Sequence, residues 1–221
     1  MAEAIWIIDQ ETGDLTVEGL TTREAADLTA ELLAGGEPIN CGRPAGVPPL
    51  NASKVQGEPF EPTLRIYRVY HNSVVEGPGR RSVVQLAGCL LRCPGCYVPE
   101  THDPHGGVEL TVSEVVDLLL DGQGEPRDGV TVLGGEPFLQ PEGLAALLNA
   151  LKERGLHVTL YTGYTLEALR ARGETAVNEA LAHADILIDG PFVAQLSRHA
   201  GEWRGSTNQR IIYQPAAAVA L

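Results

Sequence analysis

The sequence is poor in cysteine, with four among 221 residues, and poor in basic side chains, with 16 Lys and Arg against 29 Asp and Glu. Its formal net charge of -13 argues against nucleic acid or an anionic membrane as a partner, because both are polyanions. No apolar run approaches the roughly 20 residues that cross a bilayer, so we expect no membrane span. What remains is an acidic globular chain.

Other signals are also missing. The first ten residues have no basic region, and Asp9 comes too early for a signal peptide. We therefore expect a cytoplasmic protein in a reducing compartment, where cysteines are more often ligands or catalysts than disulfides. A disulfide framework fits poorly, because three cysteines cluster within eight residues. There is no Ser/His/Asp or paired-carboxylate arrangement, and the six histidines have no motif spacing.

The length suits one medium domain with an appendage, and 43% hydrophobic residues are enough for a core. We assign residues 1–62 to an accessory N-terminal segment. "AIWIID" and "LTVEG" predict a short hairpin, and the capping-box spacing of Thr21 and Glu24 predicts a helix over about 22–34. Residues 37–62 are rich in proline and glycine, which predicts a linker or extended arm.

Residues 63–221 have a different pattern, which predicts the core domain. Strand-like segments such as "SVVQLAG", "VTVLGG", "HVTLYTG" and "DILIDG" alternate with helical segments of ten or so residues. One of these helices has a second capping box, formed by Thr111 and Glu114. This alternation predicts an α/β fold with a parallel sheet and helical crossovers.

The stretch "GCLLRCPGC" holds Cys89, Cys93 and Cys96. Cys41 stands alone and is interpreted as a packing residue. Three thiolates with His102 or His105 could form a zinc site, although zinc ligands usually come as two separated pairs. Iron–sulfur clusters are held by thiolates from loops of this kind. Three thiolates leave one iron without a protein ligand, and an open position is what chemistry requires. The pattern favours a cluster over zinc.

The Cys-x₃-Cys-x₂-Cys spacing resembles that of the radical S-adenosylmethionine (SAM) enzymes. The resemblance implies that Cys89, Cys93 and Cys96 bind a [4Fe-4S] cluster, whose fourth iron is chelated by SAM. "LGGEP" matches the family's Gly-Gly-Glu-Pro stretch, so Gly134, Gly135 and Glu136 are implied to hold the methionyl amino group. It also implies a partial, open (β/α) barrel of about 5–6 parallel strands.

The residues beside the third cysteine, Gly95 and Tyr97, are implied to touch the adenine. Many family members have an aromatic residue at the Gly95 position, and many have an asparagine where this chain has Val98.

Four stretches further resemble the activating proteins of anaerobic ribonucleotide reductase: "VVEGPGRRSVVQLAGCLLRCPGCY", "LYTGYTLEAL", "ADILIDGPF" and "WRGSTNQRII". This resemblance spans about residues 64–213 and implies that Thr162 and Asp189 face SAM. It implies an enzyme that abstracts hydrogen from a glycine of the reductase, with flavodoxin or ferredoxin as electron donor.

Two alternatives stay open. One is a radical SAM enzyme that acts on another glycyl radical protein or on a small molecule such as a deazapurine precursor. The other is a non-catalytic metal-binding protein. The roles of Arg80, Arg81 and Arg204 are not assigned: Arg80 and Arg81 could pair with acidic groups of a partner or be surface charge.

Overall fold

A computed structural model describes residues 5–8, 15–18, 61–121 and 127–218. The chain divides into two units, Met1–Gln56 and Gly57–Leu221. In the first, β1 (Ile5–Ile8) pairs antiparallel with β2 (Leu15–Glu18), with Ile5 opposite Glu18, as the hairpin prediction expects. The predicted helix at about 22–34, the linker at 37–62 except its last two residues, and Cys41 lie outside the described residues.

In the second unit, seven described strands form one sheet in the order β5-β3-β4-β6-β7-β8-β9. Within the described residues no pairing joins the edge strands β5 and β9, so the sheet is not closed. The strands are β3 (Thr63–Ser73), β4 (Arg81–Leu86), β5 (Val108–Thr111), β6 (Gly129–Gly134), β7 (Val158–Tyr161), β8 (Ile186–Asp189) and β9 (Arg210–Tyr213).

The strand directions differ from the prediction of about five or six parallel strands. Only β4, β6, β7 and β8 form a continuous parallel block among the described strands. β3 runs antiparallel to β4 and β5, and β9 runs antiparallel to β8. The connection from β3 to β4 is seven residues, 74–80, and a parallel neighbour needs a crossover of a dozen or more. Composition alone does not reveal these directions.

Four described helices cover the sheet: α1 (Val112–Leu120), α2 (Pro141–Glu153), α3 (Leu166–Ala171) and α4 (Thr175–His183). All four were expected from the sequence. The capping box at the start of α1 is confirmed, because the Thr111 hydroxyl accepts from the Glu114 N–H and Glu114 accepts from the Thr111 N–H. No helix in the described ranges is long and apolar enough to cross a bilayer.

The core lies between the helices and one face of the sheet. Side chains alternate along each strand, so Val84 and Leu86 face the helices while Arg81 and Gln85 belong to the opposite face. Both faces of β4 are buried. Because β4, β6, β7 and β8 are parallel, their carboxyl ends meet at one edge of the sheet, which is where sites form in such folds.

Arg81 is a buried residue that links neighbouring strands and is not a surface charge. Its side chain is fully buried at the start of β4, away from the carboxyl-end edge. The guanidinium donates to the Thr131 hydroxyl at 2.6 Å and to the His157 carbonyl at 3.0 Å. Burial lowers its pKa to about 10. The open question about Arg81 is therefore answered: it joins β4 to β6 and to the residue preceding β7.

Candidate metal centre and cofactor cavity

A cavity of about 500 Å³ opens at the carboxyl ends of β4, β6 and β7. Seven of the ten predicted site residues line it: Cys89, Cys93, Cys96, Tyr97, Gly134, Gly135 and Thr162. They come from three segments that are distant in sequence. The fold thus brings the cysteine loop, the Gly-Gly turn and the end of β7 to one place, while the ligand roles of these residues stay predictions.

The cysteine loop is shaped by local turn chemistry. The Cys96 N–H donates to the Cys93 carbonyl at 3.1 Å, closing a turn over Pro94 and Gly95. Gly95 has φ +77°, as the third residue of a type II turn requires, and proline favours the second. Arg92 also has positive φ, at 45°. These turns fold the chain back between Cys89 and Cys96.

The three thiols suit an iron–sulfur cluster. All three are free, and Cys89 is buried while Cys93 and Cys96 are half-buried. Burial raises the pKa of the Cys89 thiol, and the N–H groups of Arg92 and Leu91 oppose this by hydrogen bonding to it. Backbone N–H groups that point at sulfur are the surroundings a bound thiolate needs. The donor set therefore fits the group that the spacing predicts.

Among the described residues, the cysteines and histidines are not placed as a ready tetrahedral zinc site. Across residues 61–121 and 127–218, no three His, Cys, Asp or Glu side chains are placed to hold one metal ion. Zinc needs four ligands at about 2.0–2.3 Å around one point, whereas a cluster distributes its thiolates over separate irons. His105 is exposed and does not line the cavity. The arrangement disfavours the Cys₃His alternative.

Close packing of main chain explains the Gly-Gly turn. A Cβ on Gly134 would lie 2.2 Å from the Leu86 nitrogen, and a Cβ on Gly135 would lie 2.2 Å from the Gly88 carbonyl oxygen. The Gly135 N–H donates to the Leu86 carbonyl, and the Glu136 N–H donates to that of Gly88. The two glycines therefore let the end of β6 lie directly against the start of the cysteine loop.

The Glu136 side chain does not line the cavity, and the predicted role of this residue in holding the methionyl amino group stays a prediction. It is 1% exposed and accepts from the Thr162 hydroxyl at 2.9 Å, the Gly163 N–H at 2.8 Å and the Phe138 N–H at 3.0 Å. Burial raises the pKa of Glu136 to about 7, against these donors. Glu136 thus ties the end of β6 to the end of β7. Thr162 lines the cavity, but its hydroxyl proton is directed to Glu136.

Asp189 and Gly95 also differ from expectation. Neither lines the cavity. The Asp189 carboxylate is buried, accepts from the Leu166 N–H at the start of α3, and is paired with Arg210 of β9. The register opposes Asp189 to Arg210, so the carboxylate is used between strands rather than in the site. Gly95 is exposed on the outer side of its turn, near Ala194.

Sequence reasoning missed several cavity residues. Arg68 and Tyr70 of β3 line it, and Arg68 donates to Gln85 of β4 at 2.5 Å. Phe192 lines it too, with its ring 4.8 Å from that of Tyr97. Strict alternation along β3 would put Arg68 and Tyr70 on the same face as the core residue Ile66, and an irregularity in the β3–β4 register after Ile66 turns them to the cavity instead. His102, considered only as a zinc ligand, also lines the cavity.

Arg204, the other unassigned arginine, lines a neighbouring groove, where one of its terminal nitrogens donates to the Gln209 carbonyl at 3.3 Å. This groove, also about 500 Å³, shares Glu76, Tyr161 and Gly205 with the first cavity. Val74 and Val75 line it and are each 67% exposed. The cavity thus lies next to a surface groove.

Comparison with known proteins matches residues 75–212 to the family described as a 4Fe-4S single cluster domain. An anaerobic ribonucleoside-triphosphate reductase-activating protein of Salmonella typhi is 34% identical over 155 residues, which are 66% of this chain and 96% of that protein. The corresponding protein of Pasteurella multocida is 35% identical over 159 residues, 68% of this chain and 98% of its own length.

A pyruvate formate-lyase-activating enzyme of Clostridium pasteurianum is 39% identical over 131 residues, covering 56% of this chain and half of that enzyme. Among solved structures, QueE from Escherichia coli aligns with a TM-score of 0.38 and 16% identity, over 47% of this chain and 53% of its own. This last likeness is too weak to define the fold.

The sequence-based resemblance is thereby confirmed, and the family implies an iron–sulfur cluster. The matched residues include the three clustered cysteines, the strands from β4 to β8 and all but the last residue of β9. The chain belongs to the 4Fe-4S single cluster domain family. Among the radical SAM enzymes, it belongs with the anaerobic ribonucleoside-triphosphate reductase-activating proteins.

Proposed function

We propose that this protein activates an anaerobic ribonucleoside-triphosphate reductase by generating a glycyl radical on it, using a [4Fe-4S] cluster and SAM. One observation carries the proposal. Cys89, Cys93 and Cys96 open on the same cavity as the Gly-Gly turn and Thr162, in a chain that aligns with almost the whole length of reductase-activating proteins.

When bound, the two groups supply reductive cleavage of SAM and a 5′-deoxyadenosyl radical that removes a Cα hydrogen from a glycine of the partner. The protein binds and orients the cluster and SAM and shields them from solvent. The three thiolates would each hold one iron of the cluster, which leaves the fourth iron available to SAM. Main-chain groups of Gly134, Gly135 and Glu136 would receive the methionyl amino group, since the Glu136 carboxylate is buried outside the cavity and already accepts three hydrogen bonds.

The adenine end belongs beside Tyr97, whose ring with that of Phe192 forms an aromatic wall of the cavity. Gly95 contributes the turn that places Tyr97 rather than a stacking surface. Thr162 positions the β7 end through Glu136. Asp189 acts at a distance, by fixing the start of α3, and takes no direct part.

The architecture we propose is a partial, open radical-SAM-type barrel. An open sheet suits a polypeptide substrate, because a loop of another protein must reach the cavity. The groove lined by Val74, Val75, Glu202 and Arg204 lies next to the cavity and shares Glu76, Tyr161 and Gly205 with it, so it offers an approach of mixed polarity. The glycine-bearing segment of the partner would enter along it.

The remaining partners follow from the chemistry. The cluster needs a one-electron donor, for which flavodoxin or ferredoxin is proposed.

Free thiols and an oxygen-sensitive cluster suit a reducing cytoplasm. The net charge of -13 disfavours nucleic acid as a partner. Residues 1–62 are proposed as an accessory segment beside the core of 63–221.

A second candidate is activation of another glycyl radical enzyme. The 39% identity to a pyruvate formate-lyase-activating enzyme favours it, although only half of that enzyme is aligned. The two candidates share the cluster, SAM and radical, and they differ only in the protein that receives the radical.

The test is anaerobic reconstitution with iron and sulfide, reduction, and addition of SAM with either the host's anaerobic ribonucleotide reductase or its pyruvate formate-lyase. We expect 5′-deoxyadenosine by chromatography and a glycyl-radical doublet by EPR on the reductase. Cys89→Ala, Cys93→Ala and Cys96→Ala should each abolish both signals, whereas Cys41→Ala, outside the loop, should retain them.

A doublet only on the lyase would move the function to the second candidate. If 5′-deoxyadenosine forms but neither partner protein shows a glycyl-radical doublet, a small-molecule substrate would be indicated. A fully loaded cluster that yields no 5′-deoxyadenosine would favour a non-catalytic metal-binding protein and contradict the proposal.

A further inference from the structure

The imidazole of His102 has an unusual position in the cavity. Its Nε2 atom is buried and has no hydrogen-bond partner in the described part of the chain, and the residue lines the same cavity as the three cysteines. A buried polar nitrogen without a partner costs free energy, so native structures rarely keep one. An unpaired atom in a ligand cavity indicates that the ligand supplies the partner.

The backbone fixes this imidazole beside the first cysteine. His102 ends a 3-10 turn, Pro99–His102, that is joined to the loop by two hydrogen bonds. The Gly88 N–H donates to the Thr101 carbonyl at 2.8 Å, and the Cys89 N–H donates to that of His102 at 3.4 Å. Thr101 is itself anchored to the Val98 carbonyl. His102 is therefore placed by the segment that carries the cysteines.

The surroundings decide what Nε2 can do. His102 does not join the thiols in a group able to hold a single metal ion among the described residues, so a ligand role is disfavoured. A neutral imidazole can place its one proton on Nε2 when an acceptor faces that atom. The acceptors that a bound cluster would bring here are its sulfides and the cysteine thiolates.

We propose that His102 is a redox-tuning residue, whose Nε2–H donates a hydrogen bond to a sulfur of the bound iron–sulfur cluster and raises its reduction potential. The inference rests on the proposed function and adds a residue that the cysteine spacing does not reveal. Reduction adds one electron from the external donor to the cluster and breaks no bond in the protein.

The direction of the effect follows from charge. Hydrogen bonds to the sulfurs are among the factors that set cluster potentials. The added electron makes the sulfurs more negative, so a donor stabilises the reduced state more than the oxidised one. His102 would thus ease the electron transfer on which SAM cleavage depends.

The test is an EPR-monitored redox titration of the reconstituted full-length protein, without SAM or partner. His102→Phe keeps an aromatic ring but removes the donor, and His102→Gln restores an N–H. His105→Phe is the matched control, because His105 is exposed and outside the cavity. We expect His102→Phe to be about tenfold harder to reduce, a shift of about 59 mV to more negative potential for one electron.

His102→Gln should recover part of this shift, and His105→Phe should match the wild type. Iron and sulfide content should be unchanged in all three. The melting temperature of apo His102→Phe should equal or exceed that of the wild type, since no protein hydrogen bond to Nε2 is lost.

An unchanged potential in fully loaded His102→Phe would overturn the inference and leave the proposed function intact. Loss of iron from both His102 variants would indicate a ligand, and a lower apo melting temperature would indicate a structural residue; either overturns it. A wild type that binds no cluster would instead defeat the proposed function, and this inference with it.

Discussion

At the residue scale, the buried carboxylate of Glu136 links two strand ends that form the cavity. Its oxygens accept from donors at both Thr162 and Gly163, which follow β7, while its own backbone continues from β6. A side chain held in this way orients the main chain around it. The cavity depends on Glu136 even though the carboxylate does not open on it.

Glu136 should make stability depend on pH. Burial raises its pKa from 4.5 to about 7, so the unfolded chain loses this proton first as the pH rises. The contribution of Glu136 to the free energy of unfolding is present in full below about pH 4.5 and is lost by about pH 7. This loss amounts to about 3 kcal/mol. Urea unfolding of the apoprotein at pH 5 and pH 8 should show the wild type losing more stability than Glu136→Gln.

The control is Glu142→Gln, which removes an exposed carboxylate of α2. Its stability should follow that of the wild type at both pH values. If the wild type and Glu136→Gln lose the same stability between pH 5 and pH 8, the raised pKa of Glu136 would be contradicted.

Gly135 provides a second residue-scale prediction. Gly135→Ala should cost about 2 kcal/mol by overpacking, because its Cβ would lie 2.2 Å from the Gly88 carbonyl oxygen. It should also lower cluster content, since Gly88 precedes Cys89. Gly155→Ala has φ +72° but open space around it and should cost only about 1 kcal/mol with full cluster loading. Denaturation and iron analysis of both variants would measure this difference, and equal losses would refute the steric explanation.

At the scale of single elements, the last strand is held to the sheet by an ion-pair network. Arg210 of β9 donates through Nε to Asp189 of β8 at 2.9 Å and through Nη1 to Glu167 of α3 at 3.0 Å. The Asp189 side chain is 1% exposed, whereas the Glu167 side chain is 47% exposed. The Arg210–Asp189 pair therefore contributes more to stability than the Arg210–Glu167 pair.

Arg210→Met should destabilise the protein by about 3 kcal/mol, because Asp189 would keep a buried charge with only the Leu166 N–H as donor. Adding Asp189→Asn should recover part of this loss by removing the charge. Glu167→Gln, on the solvent side of the same arginine, should change little. Chemical denaturation of the three variants tests the order, and a larger effect from Glu167→Gln would reverse our assignment.

At the scale of the whole molecule, the reductase-activating relatives cover only part of the chain. The Salmonella typhi protein is aligned over 96% of its length but over 66% of this chain, so it has no counterpart for most of the remainder. The boundary between the two structural units, at Gln56 and Gly57, leaves the whole seven-stranded sheet in the second unit. The second unit therefore holds every residue that lines the proposed site.

A protein that begins at Gly57 should fold and bind a cluster. Circular dichroism should show a cooperative thermal transition, and anaerobic reconstitution should give the same iron content as the full chain. Loss of folding or of cluster binding on truncation would show that residues 1–56 are part of the core rather than an accessory segment.

Features that depend on neighbours within a few residues could be predicted from the amino-acid sequence. The capping box of Thr111 and Glu114, the Pro94-Gly95 turn and the cysteine spacing are local, so their geometry follows from turn and helix chemistry. The alternation of strands and helices follows from hydrophobic periodicity. These features were enough to predict the α/β class, the parallel central strands and the cluster loop.

The direction of individual side chains depends on contacts that form in the folded protein. Asp189 turns to Arg210, 21 residues later, because the antiparallel register opposes them. The Glu136 carboxylate accepts hydrogen bonds from residues 26 and 27 positions away, and His102 meets the cavity because its carbonyl pairs with Cys89 while that of Thr101 pairs with Gly88. Strand direction, register and the partners of buried polar atoms are set by contacts between distant segments, which no local pattern encodes.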